Sequence, residues 1–498
     1  MKPQTAHIAS NLLVALALFL GGGTASRAAI WNDSAGNDNW SDDGNWNPSA
    51  PGSSGTAEFD GTGASPATVD SAHSVNSILF NNGSDFTIGG TAKLSLGTGG
   101  IDVQDTSNYA VSAPVEITGN QDWNVAESGT LTVNYASKTT GRKGVTKTGA
   151  GTLTLTEYPT DGTNGAEFDV EEGTVNLDKA GRNFKITNVG GAGTPARVEW
   201  INGGFIDFPT IKQDGTVDIG SQNPRLGGTT FEGGGTLEID AGGSYYANGS
   251  SSTIGYTPVS GGEQATIEGD GVVDMRAGVS YRGFGIDDDA SLDVEMRVYS
   301  KVTMSENDLS LQKDGAGTVA FEGANDYTTD TLVNSGGLLI NGTTTGQGRY
   351  TVDGGATLGG TGTIGLASGE TVTVNGALAP GESIGTLGVN GDVVFGPGTL
   401  VVDVDDQGNS DLLEITGDLD LGDAGDAIQV NGTPAYDPRV WYTLVTYTGN
   451  LTGEFNGLDL PSRYSIRYED GEILLVPEPA SFVVLLLAGA ALLRRRTQ

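Results

Sequence analysis

Between about Pro66 and Gly432 one pattern keeps returning: a glycine, a threonine, then a short run in which alternate residues are apolar. Ser128-Gly129-Thr130-Leu131-Thr132-Val133, Gly173-Thr174-Val175-Asn176-Leu177, Gly235-Thr236-Leu237-Glu238-Ile239 and Gly398-Thr399-Leu400-Val401-Val402 are examples. A period of two places alternate side chains on opposite faces, so each run can bury one face as a strand. The glycines supply the backbone conformations that the intervening turns require. Such strands, at intervals of roughly 20 to 25 residues, predict one strand set per coil of a stacked parallel solenoid. With coils about 4.8 Å apart, the repeat region would form a rod roughly 70 to 90 Å long. The rival is a set of β-sandwich domains, which needs antiparallel pairing and turn signals every 8 to 12 residues or so.

Composition matters here because 80 of the 498 residues are glycine, a level that can signal disorder. The glycines are instead spaced between alternating Val, Leu, Ile and Thr, and no stretch between the two ends of the chain shows helical periodicity. The expectation is an all-β body. A formal net charge of −37 sets the chain against nucleic acid and anionic headgroups and favours counter-ions such as calcium. There is no cysteine, which removes disulfides, thiol chemistry and cysteine zinc sites.

The two ends read differently from the body. Residues 1–28 have a lysine, an apolar run from Leu12 to Leu20, and Ser26 and Ala28 placed for cleavage after Ala28, the pattern of a secretory signal peptide. Residues 29–65 hold Trp31, Trp40 and Trp46 in turn-rich chain. Two readings stay open for them: a cap over the first hydrophobic layer, or a stacking platform for sugar rings. The solenoid is assigned to 66–433. Residues 434–476 contain Trp441-Tyr442-Thr443-Leu444-Val445-Thr446-Tyr447 and two further strands joined by Asp470-Gly471, a hairpin signal. They predict an antiparallel β cap on the last coil. In 477–498 the triplet Pro477-Glu478-Pro479 precedes an apolar run, Ala480 to Leu493, and the basic cluster Arg494-Arg495-Arg496. The run has the composition of a membrane helix, though a full span takes about 20 residues. The two prolines predict an extended triplet, exposed and not folded into the cap.

Two families resemble parts of this sequence. Val145-Thr146-Lys147-Thr148-Gly149-Ala150-Gly151-Thr152-Leu153 has a counterpart in Leu311-Gln312-Lys313-Asp314-Gly315-Ala316-Gly317-Thr318-Val319, which continues to Asn325-Asp326-Tyr327 and Gly336-Gly337-Leu338. These copies, near 144–177 and 309–342, resemble the autotransporter-associated β-strand repeat. The first departs from the pattern where Tyr158-Pro159 stands in place of Asn-x-Tyr. The resemblance implies a right-handed parallel β-helix with scaffold or adhesin-like roles. The C-terminal tail resembles the PEP-CTERM sorting signal, which implies export, transient anchoring by a single C-terminal hydrophobic helix, and tail removal by an exosortase-type enzyme. Extracellular polysaccharide is the partner that this resemblance suggests.

Little in the chain points to catalysis. Beyond the signal segment His73 is the one histidine, and it lies in the polar stretch Ser71-Ala72-His73-Ser74. Asp403, Asp405, Gly408, Asp411 and Glu414 fit calcium-loop positions 1, 3, 6, 9 and 12, but strand-like flanks replace the helices that aim such ligands. That segment reads first as an acidic turn between coils and second as a calcium candidate. The sequence therefore predicts an exported, non-enzymatic surface or matrix protein. A carbohydrate-binding protein and a β-helix polysaccharide lyase or hydrolase are the alternatives.

Overall fold

The computed structural model describes residues 27–478 except 135, 139–143, 157–165, 179–184, 203–204, 207–208, 227, 248–251, 276–281, 305–309, 347, 423, 435–436 and 438. Among them the chain is β throughout, apart from one 3-10 turn at Asp43–Asn45. Strands pair in parallel with the coil before and the coil after. One face runs from Thr56–Phe59 to Leu451–Gly453. A second runs from Ala67–Val69 to Gly457–Asp459. A third is built from short strands: Phe205–Ile206 through Lys301–Thr303, then Ala324–Asn325 through Tyr442–Tyr447. At about 4.8 Å per coil the first face alone is roughly 80 Å long.

The alternation in the sequence is what stacks the coils. Leu131, Leu153, Val175, Val198, Val217, Leu237, Ile267, Val298, Phe321 and Ile340 are successive register partners. All are buried, so they form one continuous interior column. A one-residue slip would turn the whole column outward, which is why register is firmly set. Coil length varies more than the sequence spacing suggests: 19 residues separate Val198 from Val217, but 31 separate Ile267 from Val298. Extra residues leave as turns, at 258–264 between Leu237 and Ile267 and at the largely exposed 287–293 between Ile267 and Val298, so the interior register survives.

The two ends are finished differently. At the start, Ala29–Trp31 pairs in parallel with Thr56–Phe59 and antiparallel with Trp46–Asn47. At the finish, Glu472–Pro477 pairs antiparallel with Tyr442–Tyr447 and with Tyr464–Glu469. That hairpin closes through Asp470-Gly471, with Gly471 at φ +82°. Among the described residues no helix is long and apolar enough to cross a membrane. The expected C-terminal helix, with Pro479 and Arg494–Arg496, lies outside the described residues.

Candidate functional surface

The residues singled out in the repeat copies are consumed by packing. Lys147 and Lys313 each fall at an inward position of their strand and are buried. Lys147 Nζ donates to the carbonyls of Thr148 (2.9 Å), Gly149 (2.6 Å) and Glu172 (3.0 Å). Lys313 Nζ repeats this with Asp314 (2.9 Å), Gly315 (3.0 Å) and Ser335 (3.1 Å). Each ammonium thus ties the glycine turn of its own coil to the turn of the next. Burial pulls both lysines down to about 8. The glycines serve the same junction: Gly315 has φ +80°, and a Cβ there would lie 2.1 Å from the Ile286 carbonyl oxygen. In the second copy Asn325 is buried, accepting from the Val302 amide (2.8 Å) and donating to the Gly323 carbonyl (3.1 Å). Tyr327, also buried, meets the Tyr350 hydroxyl at 2.8 Å. The inward parity of the lysines was readable in the sequence. The carbonyl cage that receives them was not, because its members come from two coils.

The tryptophans offer no platform. Trp31, Trp40 and Trp46 are 1%, 0% and 3% exposed. Trp46 meets Trp31 edge-on at 5.0 Å and Trp40 at 4.8 Å, and all three lie against Phe59. The sugar-stacking expectation fails at these positions because a pyranose needs an open indole face. The turn-rich chain between the tryptophans folds back and seals them. Near Ala28, the first strand begins at Ala29, which pairs with Ala57.

The acidic segment closes as a short antiparallel turn. Val404 and Ser410 bridge, Asp405 N donates to the Asn409 carbonyl (3.0 Å), and Gly408 takes φ +97°. The carboxylates are spent on the protein. Asp405 accepts from the amides of Gln407 and Asn409, and Asp403 accepts from Asn431 Nδ2 (3.1 Å). Asp411 accepts from the amides of Gly385 (2.8 Å) and Asp403 (2.7 Å). Glu414 points outward from Leu412–Ile415. Among the described residues no group of three or more His, Asp or Glu is placed to hold a metal ion. The spacing matched a calcium loop, but strand flanks turn alternate side chains to opposite faces. Calorimetric titration with calcium should give no heat beyond dilution; a saturable transition would overturn this assignment.

His73 opens the strand His73–Phe80, and its Nε2 lies 3.1 Å from Ser71 Oγ. The nearby Asp70 carboxylate instead accepts from Ser41, at N (2.9 Å) and Oγ (2.5 Å).

The outer wall carries the charge. Glu199, Asp218, Glu238 and Glu268 stand in register on neighbouring coils. Arg197 reaches three of them: Glu199 (2.9 Å), Asp218 (2.6 Å) and Glu238 (2.7 Å). The hydrogen bond with Glu238 is the chief cause that holds its guanidinium above the ordinary arginine range. Beyond the arginine the wall opens into a surface groove of about 380 Å³, lined by Glu238, Asp240, Glu268 and the half-exposed Tyr299. Further along, Arg297 binds the Glu382 carboxylate with two nitrogens (3.0 and 3.2 Å), and also Glu322; Asn341 donates to both glutamates. Glu382 belongs to the 381–385 loop, 85 residues from Arg297, so this contact braces several coils along the axis. Burial raises the Glu382 carboxyl, but the Arg297 and Asn341 hydrogen bonds outweigh it and hold it below the usual range. Its contribution is therefore present above the ordinary glutamate pKa and lost as pH falls through the lower folded value. Glu382→Gln should cost about 1 kcal/mol in urea unfolding at neutral pH, shrinking in acid. An unchanged midpoint would dismiss the brace.

The Pro477-Glu478-Pro479 triplet is not free of the cap as the sequence suggested. Pro477 is the buried last residue of Glu472–Pro477 and pairs with Tyr464. The Glu478 amide donates to the Arg463 carbonyl at 2.7 Å. Proline lacks a donor, but at a non-hydrogen-bonded pair of an antiparallel hairpin none is needed.

No family model matches this chain. A stretch of 112 residues, 22% of the chain, is 39% identical to the "Extracellular serine protease" of Serratia marcescens and covers 10% of that protein. A stretch of 96 residues, 18% of the chain, is 36% identical to the "Adhesin BmaC autotransporter" of Brucella suis biovar 1 (strain 1330), of which it covers 3%. The chain thus spans a small part of the length of these curated relatives. Among solved structures, the Haemophilus influenzae Hap adhesin superimposes with 12% identity and a TM-score of 0.26, over 85% of this chain and 64% of that one.

Proposed function

We propose that this chain is the body of an exported, non-enzymatic, adhesin-like protein of the cell surface or extracellular matrix. Its working parts would be length, stiffness and an acidic wall. The observation that carries this reading is the fate of the repeat residues. Lys147, Lys313, Asn325 and Tyr327 are all engaged in joining coils, so these repeat residues serve the rod. The 36% identity to a stretch of an adhesin supports the same reading. In this proposal the signal segment engages the export machinery. The tail from Pro477 onward, with Glu478, Pro479 and the Arg494–Arg496 cluster, is then read by an exosortase-type enzyme.

The Tyr299 groove supports carbohydrate binding as a second reading, since an exposed aromatic ring beside Glu238, Asp240 and Glu268 suits stacking and hydrogen bonding to a sugar. Incubating purified protein with a panel of acidic and neutral polysaccharides tests both. Binding or coating without turnover is the expected result, and release of oligosaccharides would overturn the non-enzymatic reading. If Tyr299→Ala abolishes retention of neutral glycans while the melting temperature holds, the groove is the sugar site.

A further inference from the structure

We propose that the last hairpin of the body is a latch on the sorting tail: it holds the first two residues of the Pro-Glu-Pro triplet, and tail removal waits on its opening. This inference rests on the reading of the tail as a sorting signal. It comes from the register of the hairpin. Starting from the two-residue turn, Glu469 pairs with Glu472 and the ladder continues to Ser465–Val476 and Tyr464–Pro477. One step further the Glu478 amide is bonded to the Arg463 carbonyl. Arg463 takes φ +69°, so the chain turns sharply just where its carbonyl meets Glu478. Pro477 and Tyr464 are both buried, and Tyr464 meets Tyr442 edge-on at 6.3 Å, which anchors the pair on the final strand of the third face.

A processing enzyme takes its substrate as an extended chain whose backbone groups are free to bind. At Pro477–Glu478 that backbone is already paired with 463–464. Cleavage of such a segment proceeds through the locally opened form, so its rate follows the population of that form. The latch thereby reports on folding: the hairpin assembles on the third face only when the coil beneath it is in place. An incompletely wound chain presents its tail differently from a finished one.

Three forms of the full chain, expressed in a host that supplies the sorting system, test this. The wild type is compared with a spacer variant carrying four Gly/Ser residues inserted after Val476, and with a locked variant, Ser465→Cys with Val476→Cys. The chain has no cysteine of its own, so the locking disulfide forms without competitors. Intact mass over time should show tail loss about tenfold faster in the spacer variant, as expected when the rate follows the open population. The locked variant should keep its tail. Equal rates in all three would overturn the latch while leaving the sorting reading intact. Retention of Gln498 in all three, the spacer variant included, would overturn the sorting reading and the latch with it. Hydrogen exchange on purified, unprocessed protein gives an independent measure: the Glu478 amide should be protected in the wild type, and an unprotected amide would refute the latch without reference to any enzyme.

Discussion

Replacing Lys313 with methionine is expected to cost the rod about 2–4 kcal/mol, read as a lower urea midpoint and an early loss of the coils around 311–340. Methionine matches the length of the stem, so the loss comes from the head. The carbonyls of Asp314, Gly315 and Ser335 lose a charged donor that joined two successive turns. The same change at Lys147 should act alike, because Thr148, Gly149 and Glu172 form the equivalent cage. Because coils contact chiefly their neighbours, the two sites should be nearly additive. The pH dependence has a definite sign. In the unfolded chain each lysine titrates near 10.5, and in the folded chain near 8. Between these values the unfolded state holds more protons, so wild-type stability should rise with pH from about 8 to 10.5 relative to the double methionine variant. Below 8 both states are protonated and the difference is flat. An unchanged midpoint in Lys313→Met would show that the cage does not hold the turns, and a wild-type curve that falls in this window would show instead that the folded protein holds these protons more tightly than the unfolded chain.

Trp40→Ala should be as damaging, at about 3–5 kcal/mol. Its ring is fully buried, 4.8 Å from Trp46 and 6.1 Å from Phe59, at the open end of the first coil. Its backbone also covers that end: Trp40 N donates to the Thr68 carbonyl (2.8 Å) and the Thr68 amide to the Asp38 carbonyl (2.7 Å). Removing the ring leaves a cavity beneath this cover and frees the first parallel edge. Fraying of the first coils, dye binding and aggregation through unpaired strands should follow. Trp40→Phe gives a sharp control. The indole Nε1 has no hydrogen-bond partner among the described residues, so phenylalanine gives up volume but no bond. It should retain most of the stability. If Trp40→Ala instead leaves the melting curve untouched and abolishes glycan binding, the tryptophans work on the surface after all.

A third titration belongs to Asp411, which joins two loops of the late coils. Burial pushes the Asp411 carboxyl up to about 6, against the Asp403 and Gly385 amides that favour its ionised form. Its folded value lies above the unfolded one. The stability it contributes is therefore complete below about 3.8 and lost as pH rises through 6. Asp411→Asn should flatten this part of the profile while keeping one acceptor for the two loops. A profile between pH 4 and 6 that is the same in both proteins would exclude it.

The recurring Gly-Thr-apolar pattern was enough to give strands, their inward faces and their stacking as coils, because a period of two and the geometry of glycine turns are properties of the local chain. Lys147 and Lys313 share the parity of the buried Val145 and Leu311, yet their burial is known only from the folded chain, since charge alone would have placed them outside. Where several coils had to meet, the sequence was silent. The carbonyl cages, the Arg297–Glu382 brace and the Tyr299 groove each join residues that only winding brings together. One local pattern misled, at Pro477, and two left open a second reading that the folded chain does not favour. The tryptophans suited a platform until the loop between them folded over their faces. The acidic run had calcium-loop spacing, but strands aimed its carboxylates at backbone amides. Pro477 marked an end to the fold by its missing amide, yet an antiparallel hairpin has positions where no amide is required, and the register set by Asp470-Gly471 put it on one. The sequence by itself determined what each strand buries; only the tertiary structure decided which polar groups remain free, since a backbone amide or carbonyl is claimed by whatever the neighbouring coil brings within reach.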